Sequence, residues 1–229
     1  MARRNKLLKF SELLTFPNVY ENYEVTNALL VAGQDDQVEM ANKWKKNHFK
    51  NDNPITLELA CGRGEYSLAL AERYPERNFI GVDAKGARIW KGAQIATAKG
   101  LDNVAFLRTR IEFCHLFFGE NEIDEIWITF PDPFLKKGKY NRRLTSPNYL
   151  ECYRKFLKKN GLVHLKTDSD VMYDHTKAVI EEFKLKTNLD TYDVYGDNPM
   201  VHQDLDVKTY YENANISNAD SIKYLQFTL

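Results

Sequence analysis

Charge of one sign does not dominate this chain. Its 229 residues carry 32 Lys plus Arg against 32 Asp plus Glu. A net charge of zero excludes a bulk polycation, so an anionic partner must be met by local patches. Cysteine is scarce: Cys61, Cys114 and Cys152 form no CxxC pair and lack metal-ligand spacing. They fit reduced thiols in a cytosolic protein better than a disulfide scaffold. No apolar run approaches the roughly 20 residues needed to span a bilayer. The opening MARRNKLLKFSELLTF has a charged head, but Lys9, Ser11 and Glu12 interrupt the stretch a signal peptide needs apolar. The expectation is a soluble, cytoplasmic protein. Fixed-period repeats and Pro-, Ser- or Gly-rich linkers are missing too. The length suits one α/β domain with a core of its own.

What is present is a rhythm. Residues 1–20 read as an irregular basic arm, with Arg3, Arg4, Lys6 and Lys9 ahead of the first acid. We expect 1–34 to be arm and lead-in, and 35–229 a single domain. Residues 35–50 predict a helix, with acids in its first turn and lysines towards its end. Strands are expected at 55–60, 78–83, 103–107, 125–130 and 162–167. Helices are expected at 64–74, 86–99 and 170–184. A further helix opens at Ser146 and Pro147, as N-cap and first residue, and closes at Lys158, Lys159 and Gly161. Such alternation implies a mostly parallel sheet covered by helices on both faces. After 185, the segments 191–195 and 222–229 predict a closing hairpin-like pair.

In open α/β sheets, ligands sit beyond the carboxyl ends of the strands, where strand order reverses. The first strand here runs into Glu58-Leu-Ala-Cys-Gly62-Arg-Gly64-Glu65. Gly62 and Gly64 permit a tight turn and close approach of backbone to ligand. The second strand ends in Asp83, a carboxylate placed to accept both hydroxyls of a ribose. A plain tight turn is one reading of the loop. A dinucleotide site is another, but its G-x-G-x-x-G frame finds Ala60 first and Glu65 last, or ends on Ser67 when started at Gly62. S-adenosylmethionine is the third. It has a cationic sulfonium and no diphosphate, and the acid at Glu58 favours it by charge.

The strand at 125–130 ends in Phe130-Pro-Asp132-Pro-Phe134, followed by Lys136, Lys137, Lys139, Arg142 and Arg143 with no acid among them. The prolines restrict the backbone and should hold Asp132 in place instead of letting it cap a turn. An Asx turn is the competing reading. A charge run is usually a solvated face. Beside a base-modifying pocket it would grip the phosphates that flank a target nucleotide. Lys43, Lys45, Lys46 and Lys50 could extend that track, with the amino-terminal arm.

Four motifs in register carry a resemblance: residues 58–65, residues 130–136, Lys166-Thr-Asp168, and Thr209-Tyr210-Tyr211-Glu212. Over residues 35–229 the chain resembles the bacterial tRNA (guanine-N7-)-methyltransferases of the class I Rossmann-like type. The resemblance implies a seven-stranded sheet of order 3-2-1-4-5-7-6 with an antiparallel last strand, and helices on both faces. It implies S-adenosylmethionine as cofactor and tRNA as partner, for a monomer or homodimer. The target would be a guanine of the variable loop.

By position, Glu58, Gly62, Gly64, Asp83, Arg110 and Asp132 would serve the cofactor. Asp132 would also border the target base, and Lys136, Asp168, Thr209, Tyr210, Tyr211 and Glu212 would bind substrate. The sequence departs from the family pattern at Ala60, Phe134, Arg110, and Ala219 with Asp220. Arg110 stands where an acid often faces the adenine. For Asp168 a helix N-cap is the rival role, and for Glu212 a solvated acid. Two other classes compete: an NAD-dependent oxidoreductase, and an inactive RNA-binding subunit of the same fold.

Overall fold

The computed structural model describes residues 2–23, 27–33, 36–136, 138–196, 200–213 and 221–229, with 2–6 described by backbone alone. Lys137 and the departures at Ala219 and Asp220 lie outside the described residues. The strands are β1 (Val19–Glu21), β2 (Leu30–Ala32), β3 (Asp36–Val38), β4 (Ile55–Leu59) and β5 (Asn78–Asp83). They continue with β6 (Val104–Arg108), β7 (Ile123–Thr129), β8 (Leu157–Thr167), β9 (Lys186–Thr191) and β10 (Lys223–Thr228). All join one sheet of order β3-β2-β1-β6-β5-β4-β7-β8-β10-β9.

From β4 onward, this is the order 3-2-1-4-5-7-6 that the resemblance implies. β10 runs antiparallel to both β8 and β9. The first three strands are an addition at the β6 edge, where β1 pairs in parallel with β6. β4 is buried at every position because its two neighbours, β5 and β7, are both parallel to it and helices cover each face. Alternation sorts the side chains. Leu57, Leu59, Ile80, Val82, Leu107, Ile126, Ile128 and Leu165 face α4 (Pro147–Tyr153) and α5 (Asp170–Glu182). Phe79, Phe106, Trp127 and Tyr224 face α2 (Glu65–Arg73) and α3 (Gly86–Lys99). The carboxyl ends of β4 to β8 therefore open on one edge, and the order reverses between β4 and β7.

Four local expectations are corrected. The amino-terminal arm is not irregular: α1 spans Ala2–Leu13, and its buried Leu13 joins the α2–α3 cluster. The segment 35–50 is not one helix. It holds β3 and a single π-helical turn, Trp44–Phe49. Distant Glu122 overrides the local pattern, accepting from Asn42 N (2.8 Å), Trp44 N (3.1 Å) and Gly119 N (2.8 Å). The helix at 147 stops at Tyr153 instead of running to Gly161. Phe156 and Leu157 are drawn into the core and Phe156 O accepts from Ile123 N, so 157–161 becomes the start of β8. The strand expected at 191–195 ends at Thr191 instead, although the antiparallel closing pair is present.

Candidate active site

The loop after β4 turns through three residues with left-handed backbone: Ala60 (φ 57°), Gly62 (φ 60°) and Gly64 (φ 69°). Ala60 carries its methyl at some cost in strain. At Gly62 a Cβ would meet open space, whereas at Gly64 it would lie 2.5 Å from Phe106 Cε1. Packing against β6 by itself thus requires glycine at 64. Asp83 props the loop, since its Oδ2 accepts from Gly62 N (2.9 Å) and its Oδ1 from Lys85 N (2.7 Å). Glu58 is 3% exposed, and its Oε2 accepts from Ser67 N (2.8 Å) and Ser67 Oγ (2.7 Å). Ser67, which ends the failed dinucleotide frame, is therefore the partner of the acid. Burial pushes the Glu58 carboxyl up to about 7, against these hydrogen bonds.

Two cavities meet at Ala60. One, of about 370 Å³, is lined by Glu58, Gly62, Arg63, Phe130 and Tyr210, among others. The second, of about 350 Å³, is lined by Asp83, Ala84, Thr109, Arg110 and Tyr149, among others. A larger cavity of about 560 Å³ opens between Asn18, His48 and Thr97. It lies by the start of β6, at the opposite edge of the sheet. Lys45 and Lys50 are there too: Asn51 N donates to Lys45 O, and the Asn51 side chain bonds Asn78 at the start of β5. The lysines of 43–50 thus do not extend a track beside the candidate site.

After β7 the chain makes a strained exit. Phe130 (φ 47°) and Phe134 (φ 43°) bracket Pro-Asp-Pro with positive φ, which is rare for bulky residues and costs about 1–3 kcal/mol each. Phe130 N is held by Lys166 O at 2.8 Å. Asp132 does cap a turn, contrary to expectation, because its Oδ1 accepts from Phe134 N at 2.9 Å. The prolines leave that bond possible since Phe134 still has its N–H. The carboxylate is otherwise exposed, two residues beyond Phe130. Arg143 reaches back to this loop, donating through Nε to Pro133 O (2.8 Å) and through Nη2 to Phe134 O (3.5 Å). Lys136, Lys139 and Arg142 are exposed.

The facing wall is α6 (Tyr210–Asn213) and the residue before it. Thr209 and Glu212 form a capping box: Thr209 N and Oγ1 donate to Glu212 Oε2, and Glu212 N donates to Thr209 Oγ1. Glu212 Oε1 accepts from Lys166 Nζ (3.0 Å) and Tyr195 Oη (2.5 Å). Glu212 is therefore neither a solvated acid nor open to a base. Tyr211 packs on Phe130 with ring centroids 5.6 Å apart, and the Arg63 guanidinium lies 4.2 Å from the Tyr210 ring. Asp168 sits beside Tyr211, whose hydroxyl is pushed up by burial and then by that carboxylate. Helix α5 is capped by Ser169 Oγ, accepting from Met172 N, so Asp168 does not serve as the N-cap. Arg110 opens a 3₁₀ turn at the rim of the second cavity and pairs with Glu112 at 3.2 Å.

Lys166, part of the third motif, carries a role the sequence did not assign it. Its ammonium is fully buried, with Leu205 O (3.1 Å), Val207 O (2.9 Å), Tyr195 Oη and Glu212 Oε1 around it. Its carbonyl holds Phe130, so one residue ties both walls together. Burial lowers the ammonium's pKa and the Glu212 charge opposes that shift. A lysine inside a strand buried on both sides needs such partners, and that was the available signal.

Known proteins are similar to this chain. The family model described as "Putative methyltransferase" matches residues 52–225. A tRNA (guanine-N(7)-)-methyltransferase of Bacteroides fragilis is 48% identical over 226 residues, covering 99% of this chain and 86% of that protein. One of the same name from Christiangramia forsetii is 42% identical over 231 residues, covering all of both. Among solved structures, the 16S rRNA methyltransferase KamB superposes with a TM-score of 0.62 at 16% identity, over 85% of this chain and 96% of that one. That last likeness is one of fold. The extent and identity of the first two place this chain in the tRNA (guanine-N7-)-methyltransferase family.

Proposed function

We propose that this protein methylates N7 of a guanine in the tRNA variable loop, with S-adenosylmethionine as methyl donor, in the cytoplasm, as a monomer or homodimer. The observation that carries the cofactor reading is the pair of acids around one glycine turn: buried Glu58, and Asp83 bonded to Gly62. A sulfonium with an ammonium group suits a cavity bordered by carboxylates, since a bound cation favours ionised Glu58 against its burial; a diphosphate would be repelled by them. Asp83 keeps lone pairs for ribose hydroxyls beyond the two it spends on backbone N–H groups. Gly62 lines the methionine end, and Arg110 the rim of the adenosine end. When bound, S-adenosylmethionine supplies a methyl group on a good leaving group.

Guanine N7 has a lone pair and no proton, so the chain need not provide a base. What remains is to align the guanine and balance positive charge as it appears on the ring. In this reading Asp132 does both, with Asp168, Thr209, Tyr210 and Tyr211 as the base-holding wall. Glu212 acts through Thr209. Lys136, Lys139 and Arg142 take phosphates, while Arg143 holds the 133–134 carbonyls.

Unmodified tRNA incubated with labelled cofactor should yield N7-methylguanosine after hydrolysis. Label on another atom would overturn the assignment. Asp132→Asn keeps the shape and removes the charge, and should lower the rate constant about 10²-fold or more. Raising the pH should not restore it. A mutant rate that climbs tenfold per pH unit would instead mark Asp132 as a general base and point to a target atom that carries a proton.

A further inference from the structure

The second cavity has a wall that belongs to none of the four motifs. Tyr23, from the lead-in before β2, lines it together with Asp83, Ala84 and Thr109. Tyr23 is held there by built contacts. β1 runs parallel to β6 with Glu21 opposite Arg108, which carries the chain towards the carboxyl edge. Asn22 N then donates to Arg108 O (3.1 Å), and Thr109 Oγ1 donates to Asn22 O (2.8 Å). The Arg108 guanidinium lies 4.8 Å from the Tyr23 ring centroid and 4.7 Å from that of Phe10, and it pairs with Glu21 at 2.6 Å. The tyrosine is nonetheless 46% exposed. An aromatic ring fixed from behind by a cation, at the edge of a cavity that starts from a ribose-binding acid, suits a flat heterocycle.

We propose that Tyr23 is the outer wall of the adenine subsite, so that the amino-terminal lead-in forms part of the cofactor site. This rests on the reading of Asp83 as the ribose acceptor. Tyr23 would cover one face of the cofactor's adenine by stacking.

The test titrates S-adenosylhomocysteine into the full-length protein by calorimetry. Tyr23→Ala should weaken binding about tenfold, the effect of removing one stacked aromatic. Tyr23→Phe should restore most of the affinity because the ring remains. Asp83→Ala separates the two readings. If Asp83→Ala weakens binding and Tyr23→Ala does not, the cofactor site stands and Tyr23 is outside it. If neither variant changes the affinity, the cofactor site itself is misplaced. Should Tyr23→Ala fold poorly, Tyr23→Trp gives a second readout. Its added emission should be quenched as S-adenosylhomocysteine is titrated, and an unchanged emission at saturation would overturn the proposal.

Discussion

Glu58 illustrates how one residue can link proton and cofactor. The buried carboxyl has moved from 4.5 to about 7. Between those values the folded chain keeps a proton that the unfolded chain has lost, so the ligand-free protein should lose stability as pH rises through that window. A cation bound beside Glu58 reverses the preference and favours the ionised form. Affinity for S-adenosylmethionine should therefore rise with pH up to about 7 and then level off, with a limiting slope of tenfold per unit. Calorimetry in buffers of different ionisation enthalpy should detect proton release at pH 6. Glu58→Gln should abolish the release, and a release unchanged in that variant would assign it to another group. Glu58 and Asp83 were legible in the sequence because each ends a strand beside the glycine turn. The Lys166–Glu212 pair was not, since residues 46 positions apart meet only through the β8–β10 pairing and the loop at 203–207.

At the scale of elements, the basic run after Pro-Asp-Pro divides into two jobs. Arg143 is engaged with the loop carbonyls, whereas Lys136, Lys139 and Arg142 point no charge at any acid among the described residues. Replacing those three with Gln should flatten the salt dependence of tRNA binding, by roughly 0.7–0.9 in log–log slope for each phosphate no longer neutralised. S-adenosylmethionine affinity should stay as it was. Arg143→Gln should behave differently: the salt slope persists and turnover falls, because Phe134 and Asp132 lose their support. An identical slope in the triple variant would make the run a solvated face. Sequence pattern located the strands of the sheet centre well, since β4 to β8 are apolar runs with turn signals at each end. It failed at 35–50, where acids at the start and lysines towards the end fit the dipole of a helix. The carboxylate that organises that segment lies about 80 residues further along the chain.

For the whole molecule, the instructive point is how far the amino-terminal segment belongs to the body. Its charge suggested an irregular basic arm that could extend an RNA-binding track. Yet Leu13 is fully buried, Trp90 Nε1 donates to Glu12 (2.9 Å), and Phe16 meets Trp90 edge to face at 6.3 Å. Gly86 is what admits this helix, since a Cβ there would stand 2.9 Å from both Leu13 Cδ2 and Phe10 Cε1. Composition could not show this, because a basic surface and a buried stripe can share one short helix. Deleting residues 1–16 should therefore cost stability as well as RNA affinity. Burial of one leucine is worth about 1.5–3 kcal/mol. In a domain of this size, each kcal/mol moves the melting temperature by about 2–4 °C. The truncated protein should melt about 3–12 °C lower in calorimetry. The loss should appear at low and high salt alike, because Leu13 burial and the Phe16–Trp90 contact are apolar and unscreened by salt. A truncation that leaves the melting temperature unchanged, while weakening tRNA binding only at low salt, would return the segment to the role of an appended basic arm.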